Sequence, residues 1–147
     1  MSQRIVIAGA CRTPVGRFGG NLRDVSVQEL LQLCFRSTLS RTNLNPCNLD
    51  GAIAGSCIHH PTSMNIARVA LLLAGLEEES INRHNYKKTG QMPSTVIQSS
   101  TTLEVPGYTV SRNCGSGLQA IVLAVQAIKS NDGEVFLVGG VENMSQA

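Results

Sequence analysis

The chain has 147 residues, of which 42% are hydrophobic and 3% aromatic; this is enough length for a single domain with an aliphatic core. A formal net charge of +2 is too small to indicate a nucleic acid or a membrane surface as partner. The first apolar run is too short to span a bilayer, and no basic-then-apolar leader precedes it. We therefore expect an intracellular, cytoplasmic protein.

Cysteine and histidine usage argues against a metal site. The five cysteines, at positions 11, 34, 47, 57 and 114, form neither a CxxC pair nor a Cys/His zinc pattern. His59 and His60 stand side by side in a loop before Pro61, without the i, i+4 spacing of a helical metal pair. We expect reduced thiols, a solvated loop and no metal.

Strand and helix patterns alternate along the chain. Short apolar or β-prone runs predict strands at 5–10, 49–57, 108–111 and from 134 into a Gly-rich turn. Apolar residues at helical spacing follow Ser26, Ser63 and Cys114. The order β-α-β-α-β-α-β predicts an α/β domain with a mostly parallel sheet, covered by helices on both faces.

The first helix has a clear start signal. Ser26 and Glu29 have the spacing of a capping box, in which each side chain serves the other residue's backbone. Apolar residues follow at positions 27, 30, 31, 33, 34, 35 and 39, so one face packs on the sheet and Cys34 belongs to the core.

Two arginines stand in the loop after the first predicted strand. Arg12 and Arg17 flank Pro14 and Gly16 in a Gly-punctuated segment. Phosphate binding is one interpretation of the pair, and a rigid turn with solvated arginines is the simpler one.

Cys114 stands where a predicted strand gives way to a predicted helix. The free N–H groups of a first helical turn point toward such a position, and the helix dipole favours the thiolate. Gly115, Ser116 and Gly117 leave room for an acyl substrate or another chain segment. The alternative is a buried structural cysteine before a core helix.

The sequence around Cys114 resembles the nucleophile motif of the thiolase family, Asn-x-Asn-Cys-x-Ser-Gly-Leu-Gln-Ala. Asn113, Cys114 and the run 116–120 match, while Ser111 stands where many members carry Asn. Three further segments are similar to family motifs: Arg-Thr-Pro-x-Gly from Arg12, Asn-x-Ala-Arg from Asn65, and Gly-Gly-x-Glu-x-Met-Ser from Gly139.

This resemblance implies a function. The chain is expected to be the first half of a thiolase, a fold in which two similar halves form a five-layered αβαβα arrangement. Cys114 would take up the acyl group as a thioester, with its own backbone N–H as a candidate oxyanion donor. The activity implied is that of an acetyl-CoA acetyltransferase, which forms or thiolytically cleaves 3-ketoacyl-CoA. Coenzyme A thioesters are the implied substrates, and no bound cofactor is expected.

The resemblance also implies missing parts. In the family, the activating histidine, a second acid/base cysteine, the other oxyanion donors and most of the coenzyme A loop lie in the C-terminal half. His59, His60 and His84 match no catalytic histidine position. We therefore expect activity only with a complementary thiolase half. The alternative is a truncated, non-catalytic fragment that at most docks on a full-length subunit. A ketoacyl-synthase-like enzyme is disfavoured, because the Cys114 and Gly139 motifs are thiolase-like.

Two features concern the chain's own behaviour. About two dozen residues, roughly 77–102, are inserted relative to the family pattern; a lid or partner-binding loop is one interpretation, and a tolerated surface insertion is favoured. The domain therefore spans 1–147 with a polar insertion. The helix after Cys114 is apolar nearly all round, which predicts a poorly soluble or oligomeric product in an isolated half.

Overall fold

The computed structural model describes residues 4–59, 61, 63–74 and 105–147. The predicted insertion at 77–102, together with His60 and His84, lies outside the described residues. The regular elements are α1 (Val27–Thr42), β1 (Gly51–Gly55), α2 (Ile66–Ala74), β2 (Gly107–Val110), α3 (Ser116–Lys129) and β3 (Phe136–Gly140). Short 3-10 helices occupy Pro46–Asn48 and Met144–Gln146.

The three strands form one parallel sheet in the order β2-β1-β3. Ile53 of β1 pairs with Tyr108 on one side and with Val138 on the other. Every residue of β1 is buried, and its Gly-Ala-Ile-Ala-Gly sequence is small enough for helices to approach both faces. A parallel sheet needs such cover because both of its faces exclude water.

Helices cover both faces of the sheet, as predicted. On one face α1 and α2 pack together over a core that includes Leu31, Phe35 and Leu71, each at most 1% exposed. On the other face Ala120 and Ala124 of α3 pack on Ile53. The small alanines let α3 approach the strands closely. The parallel sheet with helices on both faces confirms the predicted α/β fold.

The start of α1 is the predicted capping box. The Ser26 hydroxyl accepts a hydrogen bond from the Glu29 N–H at 3.2 Å, and the Glu29 carboxylate accepts one from the Ser26 N–H at 3.1 Å. The expected apolar face is only partly right. Leu33 is 49% exposed, because 100° per residue turns it away from the buried residues of α1. Cys34 is half-buried rather than in the core.

The predicted strand at 5–10 is wrong. Residues 4–10 have no regular structure, and the side chains of Val6 and Ile7 are 72% and 76% exposed. The segment lies along α1 instead, where the Ala10 carbonyl accepts a hydrogen bond from Arg41 at 3.2 Å. An apolar run indicates that a segment tends to be buried. Whether it forms a strand depends on pairing with another strand far away in the sequence, which the run cannot specify.

None of the helices in the described ranges combines the length and the hydropathy of a membrane-spanning segment.

Candidate active site

Cys114 lies in the short connection between β2 and α3. Because β2 is parallel to its neighbour, this connection stands at the carboxyl end of the sheet, where ligands of open α/β sheets bind. The cysteine side chains described at positions 11, 34 and 57 are half-buried, whereas Cys114 is exposed. The alternative interpretation of Cys114 as a buried structural cysteine is therefore wrong.

The turn that carries Cys114 is closed by hydrogen bonds within itself. Asn113 has a φ of +49°, a left-handed conformation that asparagine tolerates better than most residues. The Ser116 hydroxyl, which is buried, donates to the Asn113 carbonyl at 2.6 Å and accepts from the Arg112 N–H at 2.8 Å. The backbone on both sides of Cys114 is thereby fixed to the start of α3.

Fewer N–H groups are free around the Cys114 thiol than the sequence predicted. The N–H groups of Gly115 and Ser116 donate to the carbonyls of Arg112 and Asn113, each at 3.1 Å. An isolated backbone bridge also joins Arg112 and Cys114. The N–H groups of Arg112, Gly115 and Ser116 are thus engaged within the turn.

The residues after β3 tie together loops at the same end of the sheet. The Glu142 carboxylate accepts hydrogen bonds from the N–H groups of Cys57 at 2.7 Å and Ile58 at 3.1 Å. The Asn143 side-chain amide donates to the Val25 carbonyl at 2.7 Å, and also to the carbonyls of Leu22 and Arg23. These side chains hold the loops around 22–25 and 56–58 in place.

Glu142 and Asn143 brace the loops at this end of the sheet, a role that the sequence pattern did not predict. Their motif was recognised by resemblance, without a physical role. The available signal was the run of polar residues directly after a buried strand, which places them at the carboxyl end of a parallel sheet.

The other candidates do not converge on Cys114. Arg12 donates to the neighbouring Thr13 carbonyl at 3.1 Å. The loop with Arg17 is a turn, in which the Gly20 N–H donates to the Arg17 carbonyl at 2.8 Å. His59 is exposed in the loop after β1. Among the described residues, no three His, Cys, Asp or Glu side chains are placed to hold a metal ion.

Cys11 and Cys34 form a separate thiol pair. The Cys11 thiol donates to the Cys34 carbonyl at 3.0 Å and also hydrogen-bonds the Thr38 hydroxyl at 3.1 Å. Burial raises the pKa of the Cys34 thiol, and the neighbouring Cys11 raises it further. Cys34 therefore stays a neutral thiol at neutral pH, which suits a structural cysteine.

Comparison with known proteins covers nearly the whole chain. The family model for the thiolase N-terminal domain matches residues 5–85 and 83–147. An acetyl-CoA acetyltransferase of Syntrophomonas wolfei is 32% identical over all 147 residues, which is 31% of its own length. A probable acetyl-CoA acyltransferase of Staphylococcus aureus is 35% identical over 98% of this chain and 30% of its own.

A solved structure gives the same result. The crystal structure of the Bacillus anthracis acetyl-CoA acetyltransferase is similar with a TM-score of 0.74 and 35% identity, over 97% of this chain and 30% of that one. The chain thus spans about 30% of the length of these relatives. The family model and these relatives match nearly the whole length of the chain, and the chain belongs to the thiolase family.

Proposed function

We propose that this chain is the nucleophile-bearing part of a thiolase-type acyl-CoA acyltransferase. The observation that carries the proposal is the placement of an exposed thiol, Cys114, on a hydrogen-bonded turn at the carboxyl end of a parallel sheet. The relatives that share this sequence are named as acetyl-CoA acetyltransferases and acyltransferases. Acyl-CoA and coenzyme A are the small-molecule partners in this proposal, and no bound cofactor takes part.

The proposed step is a thioester exchange. The Cys114 thiolate attacks the carbonyl carbon of an acyl-CoA, and a tetrahedral intermediate forms with negative charge on its oxygen. The bond from carbon to the coenzyme A sulfur then breaks, coenzyme A leaves as a thiolate that takes up a proton, and the acyl group stays on Cys114. In this proposal the Cys114 backbone N–H supplies one donor for the oxyanion; removal of one such donor in other enzymes costs about 10²–10³ in rate.

The complete reaction needs groups beyond those described. A base must generate the thiolate, and a second acyl-CoA must lose a proton before carbon–carbon bond formation. In the described part of the chain, no histidine stands with Cys114 in a hydrogen-bonded pair. We therefore propose that full activity requires a complementary thiolase segment.

A surface of α3 supports a partner of this kind. Leu118 is 69% exposed, and Ile121 and Val122 are 36% and 38% exposed, so one side of an apolar helix is uncovered. The second candidate function rests on the same observation: a non-catalytic chain that docks on a full-length thiolase subunit. Unpaired thiols at positions 11, 34, 57 and 114 support a reducing, intracellular compartment for either candidate.

Reconstitution tests the proposal. The chain is mixed with a separately expressed C-terminal segment of a thiolase, complex formation is confirmed by size-exclusion chromatography, and acetoacetyl-CoA thiolysis is measured. The proposal predicts activity that Cys114→Ala abolishes without preventing assembly. An assembled complex without activity favours the non-catalytic alternative.

A further inference from the structure

The first turn of α3 rests directly on two glycines at the carboxyl ends of neighbouring strands. A Cβ atom placed on Gly55 of β1 would lie 2.2 Å from the Ser116 carbonyl carbon and 2.4 Å from the Gly117 nitrogen. On Gly140 of β3 it would lie 2.9 Å from the Gly117 Cα. Real Cβ atoms essentially never come closer than 3.0 Å to such atoms, so this helix position requires glycine on both strands.

The two strand ends are fixed to each other. Beyond the β1–β3 ladder, the Val141 N–H donates to the Gly55 carbonyl at 3.0 Å. The Glu142 carboxylate holds the next turn of the β1 exit through the N–H groups of Cys57 and Ile58. Gly55 and Gly140 therefore form one braced platform, which we call the glycine platform.

The glycine platform is connected to the thiol through a short, closed path. Ser116 lies two residues after Cys114, and its hydroxyl fixes the backbone of Arg112 and Asn113 on the other side of the thiol. A shift of the Ser116 backbone must therefore move Cys114 as well. Misplacement of a reacting group by about 1 Å can cost on the order of 10²-fold in rate.

We infer that Gly55 and Gly140 are positioning residues, which set the height and direction of Cys114 at the end of the sheet. The inference rests on the proposed function, since it assigns these residues a role in presenting the acyl-accepting thiol. The contact is one-sided: a Cβ on Gly117 would meet only the Gly140 Cα, at an ordinary 3.7 Å. Alanine is thus expected to be tolerated on the helix and not on the strands.

Neighbouring residues of β3 provide a matched pair of variants. Gly140→Ala pushes against the backbone of α3, whereas a Cβ on Gly139 meets the side chains of Leu31 and Phe35 on the opposite face, at 3.0 and 3.1 Å. Both variants crowd the same strand, and only Gly140→Ala presses on the turn of Cys114.

The measurement is the rate at which iodoacetamide alkylates Cys114 in the 147-residue chain, followed by peptide mass mapping from neutral to alkaline pH. Circular dichroism and size-exclusion chromatography select folded variants. In the wild type we expect Cys114 to react faster than Cys57 at neutral pH. Gly140→Ala should lose that excess and move the pH profile of Cys114, while Gly139→Ala keeps it.

The outcomes separate the inference from the proposed function. A folded Gly140→Ala chain with the wild-type Cys114 profile overturns the inference, and so does an equal change in Gly139→Ala. A wild-type Cys114 no more reactive than Cys57 contradicts the proposed function, and the positioning role is then decided by whether the Gly140→Ala and Gly139→Ala profiles differ.

A milder variant covers the case in which Gly140→Ala fails to fold. Glu142→Gln keeps both glycines and removes the charge that braces the β1 exit. It should lower the excess reactivity of Cys114 over Cys57 in part, and an unchanged Cys114 profile overturns the inference.

Discussion

Removal of the Ser116 hydroxyl should loosen the turn that presents Cys114. Ser116→Ala deletes the bond to the Asn113 carbonyl at 2.6 Å and the bond from the Arg112 N–H at 2.8 Å. Hydrogen bonds of this kind each contribute about 0.5–1.5 kcal/mol net. The Asn113 carbonyl keeps the Ser116 N–H as a partner, and water reaches the exposed Arg112, so we expect a loss of about 1–2 kcal/mol.

The assay is urea unfolding followed by far-ultraviolet circular dichroism. With a slope of about 2 kcal/mol per molar urea, the midpoint should fall by roughly 0.5–1 M. Ser130→Ala is the matched control: its exposed hydroxyl donates to carbonyls at the other end of α3, and a surface change of this kind should stay within about 0.5 kcal/mol. Equal midpoints for Ser116→Ala and Ser130→Ala would refute the assigned role of the Ser116 hydroxyl.

Three further predictions concern other parts of the fold. Asn113 has a φ of +49°, so Asn113→Val should lower the free energy of unfolding, measured in urea, by about 1–2 kcal/mol, and Asn113→Gly by much less. Similar losses for the two variants would show that the left-handed backbone at this position does not disfavour valine. Hydrogen bonds from two N–H groups just before β3 lower the pKa of Asp50. Asp50→Asn should therefore destabilise the chain at neutral pH, with a difference that is present above the ordinary aspartate pKa of about 3.9 and disappears as pH falls through the lowered value; Asp24→Asn, on an exposed ion pair, is the control. Burial raises the pKa of Cys34, so iodoacetamide should label the half-buried Cys34 more slowly than Cys114; faster labelling would contradict its assignment as a neutral structural thiol.

Local signals in the sequence were sufficient for the parts of the fold that depend on local chemistry. The Ser26 and Glu29 pair fixed the start of α1, because a capping box joins residues only three positions apart. The change from a β-prone run to small residues likewise located Cys114 between β2 and α3. The parallel sheet followed from the alternation of strands and helices.

Contacts between distant parts of the chain could not be predicted in the same way. The hydrogen bonds of Glu142 and Asn143 join residues 84 to 121 positions apart, and the local sequence pattern does not identify their N–H and carbonyl partners. The failed strand at 5–10 has the same cause, since pairing requires a distant partner. The glycine platform is also non-local, because Gly55 and Gly140 meet only through the β1–β3 ladder.

The reactivity of Cys114 toward an acyl-CoA tests the central claim most directly. The chain is incubated with acetyl-CoA, alone and together with the complementary thiolase segment, and the acetylated cysteines are identified by peptide mass mapping. We predict a thioester on Cys114 that forms faster with the complementary segment present and is lost in Cys114→Ala. An acetyl group found no more often on Cys114 than on the half-buried Cys57 would contradict the claim that Cys114 is the acyl acceptor.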